Sequence, residues 1–286
     1  MADIELGIIG GSGLYQMKAL EILEKRTVDT PFGPPSSEVV IGRLAGCKLA
    51  FLPRHGPGHV IPPSEINFRG NIFAMKKIGV RRLLSVSAVG SMKEQIRPGE
   101  FAVPHQFIDR TTRRVSTFFT TGMVGHVGFA DPVCPALSGL LAETARKAGN
   151  TVHEGGTYIC IEGPQFSSRA ESNVYRQWGV DLIGMTNVTE AKLSREAGLC
   201  YATLALVTDY DCWREEEEAV TVEAIIAIMH DNVERAQGMV QALLPGLGGL
   251  SACACAALAA NAVITDPAAI PTPLKEELSI LFGGHQ

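Results

Sequence analysis

Short apolar runs alternate with longer stretches of helical period along most of this chain, the pattern expected of an α/β fold. Residues 5–9 read as a first strand that stops at Gly10-Gly-Ser-Gly13, and residues 38–41 and 48–52 as a strand pair turning near Ala45-Gly46. The spacing of Ile72, Phe73, Met75 and Ile78 predicts a helix over 67–78, with Gly79 as its stop. A strand at 83–87 follows, ending in a loop at 88–91, then a helix at 137–148 closed by Gly149. A strand at 157–161 leads into Glu162-Gly163-Pro164. A helix near 170–178, a strand at 180–183, a helix near 190–197 and a strand at 199–207 complete the alternation. The last long helix carries a broad apolar stripe: Val222, Ile225, Ile226, Met229, Val233, Ala236, Met239, Val240 and Leu243. Thr221 stands where it can cap that helix, and Pro245-Gly-Leu-Gly-Gly249 is expected to break it. Residues 110–129, rich in Thr, Gly and Phe, show no clean period and read as a long loop, a feature often tied to function in compact domains.

With 286 residues and 46% hydrophobic content, the chain has enough apolar material for a substantial core. The expected organisation is one domain over 1–245 and a short helical extension over 246–286 packed on it. A formal charge of −5 argues against a nucleic acid or an anionic membrane as partner, so any anion must be captured locally. The opening Met-Ala-Asp-Ile-Glu has no cationic segment, and the weakly polar stretch at 252–264 is too short to cross a bilayer, so the expected location is cytoplasmic. The seven cysteines are scattered: Cys47, Cys134, Cys160, Cys200, Cys212, Cys253 and Cys255. Their spacing matches no zinc ribbon or finger. No metal site is therefore expected, and Cys253-Ala-Cys255 reads as reduced thiols in a small-residue helix.

Chemistry gathers where the apolar runs end. Leu204-Ala-Leu-Val gives way abruptly to Thr208-Asp-Tyr-Asp-Cys-Trp213, which brings Asp209 and Asp211 to the mouth of a cleft or into an ordinary turn. Gly10-Gly-Ser-Gly13 offers backbone N–H groups and the Ser12 hydroxyl. Arg54-His55-Gly56 adds a bidentate fork beside an imidazole, Ser87-Ala88 a hydroxyl and amides, and Met185-Thr186-Asn187 a further hydroxyl. Each is weak alone; together they describe a phosphate site. A P-loop is excluded by the lack of Gly-Lys-Ser/Thr and a hydrolase elbow by the lack of G-x-S-x-G; a dinucleotide fingerprint is opposed by Gln16 where its third glycine belongs, though Asp29 stands at a tolerable distance for its acidic residue. Phe166, within Glu162-Gly-Pro-Gln-Phe-Ser-Ser-Arg169, adds a flat face to the carboxylates. A purine stacked on Phe166 and held at N7 and its exocyclic amine by Asp209 and Asp211 suits that set.

These motifs resemble those of the methylthioadenosine phosphorylases, a branch of the trimeric purine nucleoside phosphorylases. The likeness runs from Ile8 to about Leu244. It includes Gly10-Gly-Ser-Gly-Leu14, Thr30-Pro-Phe-Gly-x-Pro-Ser36, Arg54-His-Gly56, Asn67, Gln106-Phe-Ile-Asp-Arg-Thr111, Ile161-Glu-Gly-Pro-x-Phe-Ser-Ser-Arg-Ala-Glu171, Gly184-Met-Thr186 and Thr208-Asp-Tyr-Asp-Cys-Trp213. The resemblance implies a central mixed, twisted β-sheet flanked by helices. It implies that Ser12, Arg54, His55, Ser87, the Ala88 amide and Thr186 bind phosphate; Ser12 and Ser87 stand where some relatives have Thr. Met185 would lie against ribose, and Phe166, Ser167, Asp209 and Asp211 would meet the purine. A 5′-methylthio group would enter an apolar pocket near Val222, Ile225 and Ile226, bordered by His59 and by His126 of an adjacent subunit. The implied reaction is reversible phosphorolysis of 5′-methylthioadenosine, with Asp209 handling the N7 proton, phosphate as co-substrate and no metal or organic cofactor. A homo-oligomer, a trimer or a hexamer, is implied too.

A carboxylate at 209 accepts from the amino group of adenine but opposes the 6-oxo group of hypoxanthine, which favours adenine nucleosides, with 5′-deoxyadenosine as a second substrate. The rival readings are a 6-oxopurine nucleoside or methylthioinosine phosphorylase of the same fold, a nucleosidase that uses water, and a non-catalytic nucleotide-binding protein.

Overall fold

Runs that are apolar at every position belong inside a sheet covered on both faces, and that is where they lie. A computed structural model describes residues 4–214, 222–250 and 253–282. The order begins β1 (Leu6–Gly10), β2 (Glu21–Arg26), β3 (Val39–Leu44), β4 (Cys47–Pro53), α1 (Phe68–Lys77), β5 (Arg82–Ser91), β6 (Phe101–Val103), β7 (Gln106–Arg110) and α2 (Pro135–Lys147). It continues β8 (Val152–Glu154), β9 (Thr157–Ile161), α3 (Arg169–Gln177), β10 (Leu182–Gly184), α4 (Asn187–Glu196), β11 (Cys200–Asp209) and α5 (Val222–Leu247). The tail carries α6 (Cys255–Ala260), α7 (Thr272–Glu277) and α8 (Ser279–Phe282). Among the described residues the eleven strands form one mixed sheet in the order β2-β3-β4-β1-β5-β10-β9-β7, with β11 pairing β5 and β6, and β6 pairing β8.

Successive side chains of a strand point to opposite faces, and here both faces are covered. Leu6, Ile8, Leu49, Phe51, Leu84, Leu204 and Leu206 pack with α2 and α5, while Ile9, Ala50, Leu52, Leu83 and Tyr201 pack with α1 and α4. Local chemistry sets the boundaries. Ala45 and Gly46 both take positive φ (50° and 85°) to close the β3–β4 hairpin, and the Asn67 side chain accepts from the Gly70 amide to cap α1. Strand β2 has no apolar alternation to announce it. It is an exposed, charged edge strand, a composition that discourages pairing with a second chain.

Three sequence expectations are corrected. Residues 88–91 are not a loop, because β5 continues through them to Ser91, paired with β11 as far as Gly90. On its other edge β5 leaves β1 after Ser85 and meets β10 only at Gly90 and Ser91. Between those points, over Val86 to Val89, that edge has no strand partner among the described residues. The gap is where the sheet splays open. Helix α5 does not break at Pro245 but runs on to Leu247. Pro245 is exposed, while Leu243, Leu244 and Leu247 are buried against the sheet; one lost hydrogen bond on the solvent side does not outweigh that anchoring. The cysteines are not all scattered, since Cys134, Cys200, Cys253 and Cys255 converge.

The tail packs on the same body: α6 lies against α4 and α8 against α1, with Leu278 and Leu281 joining the core. Val263 bridges to Gly125 in the segment 111–129, which has little regular structure of its own, as expected. Among the described residues no helix is long and apolar enough to cross a membrane.

Because Leu247 is a core residue, Leu247→Ala should lower the free energy of unfolding in urea by about 3 kcal/mol. Pro245→Ala should not lower it, as alanine restores the missing donor.

Candidate active site

The open edge of β5 faces a cavity of about 310 Å³, walled by the ends of β1, β4, β10 and β11. At one end stand Gly11, Arg54, His55, Ser87, Ala88 and Thr186; at the other Phe166, Ser167, Asp209 and Asp211, with Met185 and His59 along the side. Sequence reasoning expected all of these except Gly11 as individual contacts, and the fold brings them together.

Arg54 follows β4, but its fork does not reach outward. Its Nε and Nη2 donate to the two oxygens of Glu190, the Nη2 bond measuring 3.1 Å, and Nη2 also reaches Ser85 Oγ at 2.7 Å and the Ile9 carbonyl at 3.3 Å. Nη1 donates to the Val86 carbonyl at 3.1 Å. The two side chains are only 3% and 1% exposed. A charge so buried needs its counter-ion, and Glu190 supplies it. The positive end of the cavity is therefore a neutral pair, leaving one Nη1 hydrogen of Arg54 without a protein acceptor among the described residues. An oxyanion here depends on oriented hydrogen-bond donors more than on net charge.

Two of those donors share one holder. The hydroxyls of Ser87 and Thr186 both donate to Asn187 Oδ1, at 2.8 Å and 3.1 Å, while Asn187 Nδ2 donates to Thr203 Oγ1 at 2.9 Å and Ser85 Oγ at 3.2 Å. Thr186 is also the N-cap of α4 and makes no side-chain cap bond, so the positive end of that helix opens on the cavity. His55 Nδ1 lies 2.8 Å from the Ile61 carbonyl. A carbonyl only accepts, so Nδ1 carries the proton and the other ring nitrogen keeps its lone pair. Burial, then the neighbouring Arg54 charge, push the His55 pKa down to about 4, and the ring is neutral at physiological pH. It stacks on His59 with centroids 4.1 Å apart.

At the opposite end Asp209 closes β11. Burial raises its pKa above the ordinary carboxylate value, aided by Asp211 and opposed by hydrogen bonds. Its Oδ2 accepts from Thr208 Oγ1 and its Oδ1 from the Asp211 amide, both at 2.7 Å. Asp211 takes a positive φ of 54°, a conformation Asp tolerates better than most residues. Its carboxylate in turn accepts from Ser167 Oγ at 2.9 and 2.8 Å. A capping box between Ser168 and Glu171 starts α3 and fixes the entry of the segment carrying Phe166 and Ser167. A side chain on Gly90 would sit 2.8 Å from Asp209 Oδ1, and one on Gly163 2.6 Å from Met185 Sδ. Glycine at both places is what lets these side chains line the cavity.

The segment 111–129 earns its length through Arg114. This buried guanidinium bonds Glu162 Oε1 at 3.0 Å, the Glu162 carbonyl at 2.7 Å and the Met185 carbonyl, tying the Glu162-Gly163-Pro164 turn to Met185. Sequence reasoning missed Arg114, Asn187 as a holder, Gly90 and Glu190. Glu190 had a signal. It lies one helical turn after Thr186, on the same face, but the expected helix start near 190 concealed that register.

A family model described as the phosphorylase superfamily matches residues 5–245. The chain belongs to that superfamily. Among its relatives, the S-methyl-5′-thioadenosine phosphorylase of Geobacter sulfurreducens is 54% identical over 281 residues, covering 98% of both chains. That of Thermofilum pendens is 50% identical over 264 residues, covering 92% of this chain and all of the relative. The crystal structure of a methylthioadenosine phosphorylase from an antarctic soil metagenomic library superimposes with a TM-score of 0.94 at 44% identity, covering 99% of this chain and 100% of the other. A Schistosoma mansoni methylthioadenosine phosphorylase in complex with adenine gives 0.86 at 35% identity, covering 91% and 98%.

Not every expected residue of this superfamily member is placed at its cavity. The side chains of Ser12, Val222, Ile225 and Ile226, and Thr221 altogether, lie outside the described residues. Leu14 and Val233 are among the described apolar residues that line the cavity. His126 is exposed and does not line the described cavity of its own chain; its amide donates to the Ala262 carbonyl.

Removing one partner of the buried pair strands the other. Glu190→Gln should lower the unfolding free energy by about 3 kcal/mol in a denaturant titration. For His55 the sign follows from a folded pKa of about 4 against an ordinary 6.5. Below 6.5 the unfolded chain takes up a proton that the folded ring refuses, so this contribution to stability is complete above 6.5 and is lost as pH falls toward 4. An NMR titration of the His55 ring should show a midpoint near 4; one near 6.5 would refute the assignment.

Proposed function

We propose that this chain catalyses the reversible phosphorolysis of 5′-methylthioadenosine to adenine and 5-methylthioribose 1-phosphate. One observation carries the reading: a single cavity has oriented donors at one end and, at the other, a half-buried carboxyl whose pKa is raised by burial. The relatives' shared name supports the same substrate.

In this reading phosphate sits among Ser12, Arg54, His55, Ser87, the Ala88 amide and Thr186. One phosphate oxygen attacks the anomeric carbon as the bond to the purine nitrogen breaks, through an oxocarbenium-like state. Holding the nucleophile in place beforehand supplies a large share of the rate. The departing base takes a proton at N7 from Asp209, whose raised pKa keeps that proton available closer to neutrality. Asp211, fixed by Ser167, meets the base beside it, and Phe166 supplies a stacking face. No metal or organic cofactor takes part. Leu14 and Val233 give the 5′ side an apolar wall, which suits a methylthio group better than a hydroxyl.

The assembly is read as a trimer in which exposed His126 completes a neighbouring cavity. Val124 and Ile264, exposed and hydrogen-bonded to each other beside it, support a covered surface there.

Base release from methylthioadenosine should depend strictly on added phosphate. Asp209→Asn should cut turnover at least about tenfold, ~1.4 kcal/mol of barrier, and shift preference toward methylthioinosine. A wild-type preference for inosine in a nucleoside panel would overturn the substrate assignment.

A further inference from the structure

Four of the seven cysteines meet at the far end of the sheet. Cys134 is the N-cap of α2, Cys200 opens β11, and Cys253 and Cys255 lead into α6. Their four Sγ atoms all lie within 4.8 Å of one another, and those of Cys200 and Cys253 are 3.0 Å apart. We propose that these four thiols bind a zinc ion.

The geometry supports a tetrahedral ion. Zinc–sulfur bonds of about 2.3 Å around a tetrahedron put neighbouring sulfurs ~3.8 Å apart. The 3.0 Å between Cys200 and Cys253 and the 4.8 Å within which all four sulfurs lie bracket that edge. Small shifts of side chains already facing one centre complete the site. The cluster is one group of four rather than two separate pairs, so it does not specify a disulfide pattern. Packing alone does not explain it, since a single small apolar residue fills such space as well as a thiol. The chemistry of the group agrees. Cys134 stands at the N-cap of α2, a position that favours a thiolate. Zinc binding releases the remaining thiol protons to solvent and replaces sulfur–sulfur contacts with four bonds.

The role is structural. Strand β11 spans ten residues from Cys200 to Asp209, so at ~3.3 Å per residue the cluster lies about 30 Å from Asp209. What the ion joins is the tail: Cys253 and Cys255 are the points at which the segment after α5 is fastened to the sheet and to α2.

The first test uses the unaltered protein. Protein purified anaerobically without added metal should carry about one zinc per chain by elemental analysis, retained through dialysis against a weak chelator. Cobalt substitution should give the intense sulfur-to-metal absorption of a tetrathiolate site. Stripping the zinc should lower Tm by ~5 °C or more while leaving turnover of methylthioadenosine unchanged, and Cys255→Ser should lose the metal with the same result. Two outcomes would overturn the proposal: four freely reactive thiols in metal-free protein, or a mass deficit of two hydrogens per bond that shows the sulfurs paired as disulfides.

Discussion

A guanidinium almost wholly removed from water must have its charge met at short range, and meeting it organises everything behind the cavity. Arg54 leaves β4 and reaches a carboxylate on α4, a hydroxyl and a carbonyl on β5 and a carbonyl on β1. Four elements distant in sequence are thereby held at one point. Tyr201 Oη donates to the same Glu190 carboxylate at 3.3 Å, adding β11 to the set. The pair is thus less a ligand-seeking cation than a staple, and the oxyanion end of the site inherits its rigidity.

The second constraint is topological. A strand that trades one neighbour for another must leave a stretch of edge unmatched where the two diverge. On β5 that stretch is Val86 to Val89, and the functional groups Ser87 and Ala88 are in it. Backbone amides that would otherwise belong to a ladder become available to a ligand, on a strand kept stiff by full pairing with β11 on its other side. Ligand sites in open α/β sheets form at such divergences. Here the crevice cuts along the middle of a strand rather than beyond its end.

Much of this was legible in the sequence, and the reasons are local ones. The β3–β4 hairpin and α1 announce themselves through Gly46, Asn67 and Gly79, each needed for a backbone geometry or a cap. Asp209, Asp211, Phe166 and Ser167 fall in contiguous motifs, so their chemistry could be read before their positions were known. Residues defined by distant partners could not be. The turn from Thr186 puts Glu190 on the site's side of its helix, but no local pattern names its partner Arg54, 136 positions away. Arg114 reads as one charge among several until its bonds to Glu162 are seen. Strand β2 has no buried face to pattern it. The thiols at 134, 200, 253 and 255 are gathered by topology alone, as their spacing follows no ligand motif.

Asn187 gives the cavity a property that a bare ring of donors lacks. Without an anion, the hydroxyls of Ser87 and Thr186 rest on one amide oxygen. An arriving oxyanion exchanges those bonds for its own, and on leaving it hands them back. Capture and departure are then near-balanced swaps rather than a deep fall followed by a steep climb. Such a site grips its guest firmly enough to aim it and loosely enough to run in both directions.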